Sequence, residues 1–286
     1  MPPEVPADLP AQVDAALRED IGSGDVTAAL VPAAQQVRGA VVTRENAVLC
    51  GCPWADETFR RLDERVRLTW HARDGDAVSA GQVVFDIAGP ARAVLTGERT
   101  ALNFLQLLSA TATAARAFAD AVAGTGAKVL DTRKTVPGLR SAQKYAVRCG
   151  GGDNHRMGLY DRVLIKENHI AAAGSITQAI AAARRTAPGI TVEVEVESLA
   201  QFQQALDAKP DIVMLDEFSH ADMRAAVAAN QARGRPVKLE ASGSVTLQSV
   251  RAVAESGVDY VSVGSLTKHV RAVDLSMRLQ FSEDQR

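Results

Sequence analysis

The sequence predicts an α/β protein whose larger part is an open barrel of parallel strand–helix units behind a mixed first domain. Three observations predict it. From Gly97 onward, Ala- and Leu-rich segments of helical spacing alternate with short β-branched runs. Those runs recur at the length of a β–loop–α–loop unit, the signature of parallel pairing. Carboxylates and lysines also interrupt runs that a parallel sheet, covered on both faces, would fill with apolar residues.

Taken in order, Leu9–Asp20 reads as a helix and Gly22–Asp25 as a turn. Arg38–Arg44, Arg65–Ala72 and Gln82–Ala88 read as strands by their β-branched content and flanking turn residues. Asp74–Gln82 resembles the turns of lipoyl and biotinyl carrier modules. Such carriers need a lysine at the hairpin tip, and the first lysine of this chain is Lys128, so a structural β-layer is expected instead. Glu98–Ala123 is expected to be helical, with Ala101, Leu105, Leu108 and Ala112 on one face. Strands are expected at Lys128–Asp131, Arg162–Lys166, Thr191–Glu197, Asp211–Asp216, Val237–Ala241 and Tyr260–Val263. No GxGxxG follows the first of them, which favours a barrel over a dinucleotide-binding sheet. The tail after Lys268 is expected to be helical and to return to the first domain. The expected domains are therefore 1–108, joined by the tail 269–286, and 109–268.

The bulk numbers exclude several classes. A net charge of −2 over 286 residues offers no field for nucleic acid or a membrane surface. The N-terminus lacks the basic start and apolar run of a signal peptide, and no stretch reaches the length of a membrane span. The three cysteines, Cys50, Cys52 and Cys149, fit neither a disulfide framework nor paired zinc ligands. Reduced thiols point to the cytoplasm.

The charged strands carry the functional signal. In Thr191–Glu197, Val192, Val194 and Val196 share one face, and Glu193, Glu195 and Glu197 the other. The same alternation sets Leu164 and Lys166 against Val163 and Ile165, Met214 and Asp216 against Val213 and Leu215, and Lys238 and Glu240 against Val237, Leu239 and Ala241. Buried without partners, such charges would cost several kcal/mol each. A barrel mouth holding both signs and a charged ligand satisfies them. Arg133, Lys134, Lys166, Glu195, Glu197 and Asp216 also fall at C-terminal strand ends, where barrels place their chemistry. The last two strands run into Ser242-Gly243-Ser244 and Gly264-Ser265, small residues that let backbone N–H groups approach a phosphate.

After the first barrel strand comes the basic run Asp131-Thr132-Arg133-Lys134-Thr135, and later Gly150-Gly151-Gly152-Asp153-Asn154-His155-Arg156. At these residues the chain resembles the nicotinate-nucleotide pyrophosphorylase (carboxylating), or quinolinate phosphoribosyltransferase, family. Further matching stretches are Gly97–Asn103, Lys144–Val147, Leu164–His169, Val194–Val196, Met214–Asp216 and Ser242–Gly243, in family order along the chain. Glu217, Ser244 and Lys268-His269 depart from the residues most often found there.

The resemblance implies an N-terminal α/β sandwich and an open barrel of about seven strands. It implies a homodimer with shared active sites, which a hexamer could incorporate, and Arg99 reaching into the neighbour's site. By the same resemblance Arg133, Lys134, His155, Arg156 and Lys166, with Thr132, surround quinolinate. Glu195 and Asp216 face the ribose hydroxyls and Mg²⁺. Ser242, Gly243, Ser244, Gly264 and Ser265 face the 5′-phosphate of phosphoribosyl pyrophosphate. Lys134, Lys166, Glu195 and Asp216 are the catalytic candidates, and Mg²⁺ is the one expected cofactor. Arg99 also reads as lying near a helix start, where a cation is disfavoured by the helix dipole and so invites a functional explanation. His155 and His169 are candidates for hydrogen bonds to substrate. Alternatives are a related phosphoribosyltransferase acting on a monocarboxylate, a phosphosugar isomerase or aldolase barrel with Lys166 forming a Schiff base, and a binding barrel without catalysis.

Overall fold

A computed structural model describes residues 3–281. The chain runs α1 (Leu9–Ile21), β1 (Gln36–Thr43), β2 (Ala47–Val48), α2 (Cys52–Leu62), β3 (Arg67–Trp70), β4 (Ala77–Val78), β5 (Val83–Pro90) and α3 (Ala91–Ala121). It continues through β6 (Lys128–Leu130), α4 (Arg140–Cys149), β7 (Val163–Ile165), α5 (Glu167–Ala173), α6 (Ile176–Thr186), β8 (Val192–Val196), α7 (Leu199–Ala208) and β9 (Ile212–Asp216). The remaining elements are α8 (His220–Ala232), β10 (Lys238–Ser242), α9 (Val250–Ala254), β11 (Tyr260–Ser262), α10 (Ser265–Lys268) and β12 (Leu275–Phe281). No helix among the described residues is long and apolar enough to cross a membrane.

Two compact units result. The first comprises the described chain up to Arg116, Val136–Gly151 and the chain from His269. Its antiparallel sheet has the order β12-β1-β5-β3. Val37 and Val41 of β1 and Phe85 and Ile87 of β5 bury one face, against Phe59 of α2 and Leu102 and Leu105 of α3. The α3 stripe Val94, Ala101, Leu105, Leu108 and Ala112 is fully buried, as its helical spacing requires. Asp74 holds the start of α2: its Oδ1 accepts the N–H groups of Gly51 and Cys52, each at 3.0 Å, and its Oδ2 accepts the Tyr145 hydroxyl at 2.8 Å. All three cysteines are free thiols.

The tail corrects one expectation. Residues 275–281 form a strand paired antiparallel to β1, from Val37↔Phe281 to Thr43↔Leu275, and not a helix. The run Leu275, Met277, Leu279, Phe281 has period two, and the partner strand supplies the backbone bonds that no local signal announces. The final stretch of the expected tail, 282–286, and residues 1–2 lie outside the described residues.

The second unit holds the six-stranded parallel sheet β6-β11-β10-β9-β8-β7. Val192, Val194 and Val196 of β8 and Val213 and Leu215 of β9 are fully buried on one face. A further parallel bridge joins Leu130 to Asp153, with Asp153 N–H donating to Val129 O at 2.8 Å. This is a seventh strand shortened to one residue, because Gly150–Gly152 and the turn after it break the extended run. Residues leaving β6 and residues leaving β7, at opposite edges of the sheet, line one cavity, so the sheet curls into a barrel. It stays open between Asp153 and β7. Side chains close that gap: Arg156 Nη1 donates to Arg162 O at 3.3 Å.

Candidate active site

The cavity inside the second unit measures about 210 Å³ and is lined by Thr132, Arg133, Lys134, His155, Arg156, Leu164, Lys166, Glu195, Met214, Glu240, Ser242 and Ser262. Strand alternation selects these residues. Leu164 and Lys166 share the inner face, as do Glu240 and Ser242, while their neighbours face the helices. Asp216, two residues beyond Met214, lies on that face at the end of β9, beside Ser242 on β10.

The lining is cationic. Arg133, Lys134, Arg156 and Lys166 contribute four positive charges, and Glu195 one negative. Lys166 Nζ donates to Glu195 Oε2 at 2.6 Å, which leaves the other three cations uncompensated by Glu195. Arg133 Nε is buried without a hydrogen-bond partner. Burial, and then the Arg133 charge, lower the pKa of Arg156. An anion placed between two partly buried guanidiniums relieves their mutual repulsion.

Beneath the cations is a layer of acids. Asp131, Glu193 and Glu240 are each fully buried. Asp131 Oδ1 accepts the His155 N–H at 2.9 Å. The ring Nδ1 of His155 accepts the Arg156 N–H at 2.8 Å, so the ring proton sits on Nε2, 2.9 Å from Glu193 Oε2. Arg162 Nη1 reaches the same Glu193 oxygen at 3.2 Å. His155, Glu193 and Glu240 stand close enough to suggest a metal site. The tautomer argues otherwise, since a protonated Nε2 has no lone pair for a cation. Both ring nitrogens are spent within the protein, so His155 orients Arg156 and the acids and does not offer its ring to a ligand. Burial opposes ionisation of Glu193, but His155 and Arg162 outweigh it and hold that carboxyl below its usual range. Burial, reinforced by the Glu193 charge, holds Glu240 well above the usual range. Glu240 is therefore neutral and adds no negative charge to the floor.

A stability test follows from that neutrality. The unfolded chain ionises Glu240 near the ordinary 4.5, whereas the native protein keeps it protonated. Native stability is therefore lost as pH rises above that value, until the buried group itself ionises. Glu240→Gln mimics the neutral acid and removes this linkage. Relative to wild type, the variant is expected to gain about 1–3 kcal/mol between pH 4 and pH 7.5, the scale of one buried polar group. Urea unfolding at both pH values measures it. A difference that does not change with pH would show that Glu240 is ionised in the native state.

The two Gly/Ser turns stand at the ends of β10 and β11. The Gly264 turn is packed by the basic loop: a Cβ at Gly264 would lie 3.1 Å from Lys134 Cδ, 3.6 Å from Thr132 Oγ1 and 3.7 Å from Lys134 Nζ. Thr267 Oγ1 donates to Lys134 O at 2.8 Å and ties α10 to the same loop. Thr132, Lys134 and Gly264 thus form one corner, with Ser265 partly buried behind it.

Other expected residues are placed elsewhere. Glu197 falls past the end of β8 and is exposed, so β8 turns two glutamates inward, Glu193 and Glu195, and not three. His169 Nδ1 accepts the Lys166 N–H at 3.0 Å and caps α5, which accounts for its position without a ligand. Arg99 is exposed on α3 in the first unit. Because α3 begins at Ala91, Arg99 stands in the helix interior and the dipole argument does not apply to it. The sequence reading set Glu240 on an inward strand face without giving it a role, and it missed Arg162 and Asp131 as supports of the acid floor. A charged residue at an inward strand position was the signal available for Glu240; no local signal marked the other two.

A larger cavity of about 370 Å³ lies in the first unit, lined by residues of α1, α3 and Pro137–Leu139. Its charged lining residues are Glu19 and Asp20, with no cation, so it offers nothing to a polyanion.

The family models match on both sides of residue 110. The model of the quinolinate phosphoribosyl transferase C-terminal domain matches residues 111–278, and that of the N-terminal domain residues 25–109. This chain belongs to the quinolinate phosphoribosyltransferase family. A Mycobacterium leprae protein named nicotinate-nucleotide pyrophosphorylase (carboxylating) is 44% identical over 271 residues, spanning 92% of this chain and 94% of that protein. A Bacillus subtilis protein named probable nicotinate-nucleotide pyrophosphorylase (carboxylating) is 41% identical over 267 residues, 93% of this chain and 91% of its own. The solved nicotinate-nucleotide pyrophosphorylase of Francisella tularensis superposes with a TM-score of 0.92 at 47% identity, covering 97% of this chain and 98% of that one. For this member of the quinolinate phosphoribosyltransferase family, the whole cationic cavity falls within the stretch matched by the C-terminal model.

Proposed function

We propose that the chain converts quinolinate and phosphoribosyl pyrophosphate to nicotinate mononucleotide, pyrophosphate and CO₂, a step of de novo NAD synthesis. The observation that carries this reading is the excess of fixed cations in one small cavity, with Arg133 and Arg156 crowded together over a neutralised acid floor. Arg133 and Arg156 bind the two carboxylates of quinolinate, because a guanidinium fork matches a planar carboxylate in two bonds. Lys134 and Lys166, with Thr132, add charge and orientation, and His155 holds Arg156 in place. Bond breaking at C1 of the ribose leaves an oxocarbenium-like centre. Glu195, pinned by Lys166, and Asp216 stabilise its positive charge and hold the ribose hydroxyls. Attack by the ring nitrogen then makes a pyridinium, which stabilises the electron pair left on the ring carbon as the adjacent carboxylate leaves as CO₂, and a proton from solvent then takes the vacated position. No covalent nucleophile is required, and positioning supplies much of the acceleration.

The donor set fits Mg²⁺. Asp216 carries a side chain with no ion pair among the described residues, and Glu195 keeps one oxygen outside its bond to Lys166. One or two carboxylates plus substrate phosphates are the usual company of this ion, which when bound neutralises the pyrophosphate. Ser242, Gly243, Ser244, Gly264 and Ser265 hold the 5′-phosphate. An aldolase reading is disfavoured because Lys166 Nζ is engaged by Glu195 Oε2 at 2.6 Å, and a Schiff base needs a free amine.

The reading includes a homodimer in which Arg99 completes the partner's site, and a cytoplasmic location, supported by the three free thiols. Mixing inactive Arg99→Ala and Lys166→Ala proteins under conditions of subunit exchange is expected to restore activity, approaching half the wild-type rate per heterodimer. Continued inactivity with heterodimers present would assign Arg99 to its own subunit or to no site. The reaction itself is tested by incubating the protein with quinolinate, phosphoribosyl pyrophosphate and Mg²⁺. Nicotinate mononucleotide is expected from quinolinate and not from nicotinate. Turnover of nicotinate alone would establish the monocarboxylate alternative.

A further inference from the structure

Glu217 immediately follows β9 and adopts a left-handed backbone, with φ of 52°. Its N–H donates to Ser242 O at 3.0 Å, which bends the chain toward the end of β10. The side chain then lies against the Ser242–Ser244 turn. A Cβ at Gly243 would come within 2.4 Å of Glu217 Cδ and 2.7 Å of both carboxylate oxygens. Ser244, itself left-handed with φ of 37°, donates its hydroxyl to Glu217 Oε1 at 3.0 Å. That hydroxyl is the one side-chain donor the carboxylate has among the described residues, and no basic group pairs with it.

A carboxylate thus occupies the turn, bonded by a Ser hydroxyl and packed against Gly243, where there is no side chain. The geometry points to Glu217 as the residue that sets phosphate affinity at this turn, an internal anion that an incoming phosphate must displace or repel. The inference rests on the reading that the Ser242–Ser244 turn receives the 5′-phosphate. Like charges brought to within a few ångströms oppose each other, and one hydroxyl cannot serve both acceptors. Glu217 therefore weakens ground-state binding of the phosphate end while leaving the quinolinate end, at Arg133 and Arg156, unaffected. Gln at 217 keeps the size and an acceptor for Ser244 and loses the charge. Ala loses both and leaves the turn open.

The test is direct binding of ribose 5-phosphate, measured by calorimetry on the full chain without turnover. Glu217→Gln and Glu217→Ala are both expected to bind it about tenfold more tightly than wild type, a change of about 1.4 kcal/mol. In turnover, KM for phosphoribosyl pyrophosphate is expected to fall in both variants while KM for quinolinate stays constant. Circular dichroism on each variant checks the fold. Equal or weaker binding in folded Glu217→Gln overturns the inference, as does absence of ribose 5-phosphate binding in wild type and both variants. Tighter binding in variants of a protein that does not turn over quinolinate would keep the inference and reject the proposed reaction. Normal turnover with unchanged phosphate binding would do the reverse.

Discussion

Arg133→Ala and Arg156→Ala are each expected to lower kcat/KM for quinolinate by about a thousandfold or more, with no loss of folded protein. Removing one partner of a desolvated ion pair costs roughly 3–5 kcal/mol, which sets that scale. The native fold gains little from either charge, since Arg156 contributes one long bond, to Arg162 O at 3.3 Å. Arg133 leaves its buried Nε without a partner, and Arg156 is destabilised as a cation by burial and by Arg133. Each truncation relieves that repulsion in the empty protein, so the melting temperature is expected to stay level or rise. This opposite movement of stability and activity separates a ligand-binding pair from a structural one. A variant with nearly normal kcat/KM would remove its arginine from the site. A variant that loses activity only in proportion to lost folded protein would make the arginine structural.

Glu195→Gln and Asp216→Asn carry the second large effect. Electrostatic stabilisation of charge developing in a transition state is worth on the order of 100- to 1000-fold in kcat for a single group. Glu195→Gln removes the negative charge while keeping the shape, and it releases Lys166 from its bond of 2.6 Å. Asp216 sits at the end of β9 beside Ser242, so Asp216→Asn is expected also to raise the Mg²⁺ concentration needed for half-maximal activity. Steady-state kinetics across a Mg²⁺ series measures both. If the two variants only lower the melting temperature and leave kcat and the Mg²⁺ dependence intact, the carboxylates are internal ion-pair members and nothing more.

The parallel sheet was legible because its strands break a rule. An inward charge in a buried strand is costly unless something pairs with it, and Lys166, Glu195 and Glu240 each announced the cavity in this way. The alternation placed Leu164 and Met214 on its wall by the same logic. Glu197 misled because alternation specifies a face and not where a strand ends; β8 stops at Val196. The tail misled for a related reason: Leu275–Phe281 becomes a strand by pairing with β1, more than 200 residues earlier in the chain, and local composition does not report that partner. His155 was recognisable as a site residue only through its motif. That its ring is consumed by the Arg156 backbone and Glu193 depends on side-chain geometry which spacing does not encode.

The proposed reaction joins a phosphoribosyl group to quinolinate in the basic cavity and releases the carboxylate next to the ring nitrogen. Quinolinate carrying ¹³C in its 2-carboxyl group tests this most directly, with phosphoribosyl pyrophosphate and Mg²⁺ in excess. The expected result is one equivalent of labelled CO₂ for each pyrophosphate formed, with unlabelled nicotinate mononucleotide accumulating in step. Label retained in a nucleotide product, or pyrophosphate released without labelled CO₂, would rule out that reaction.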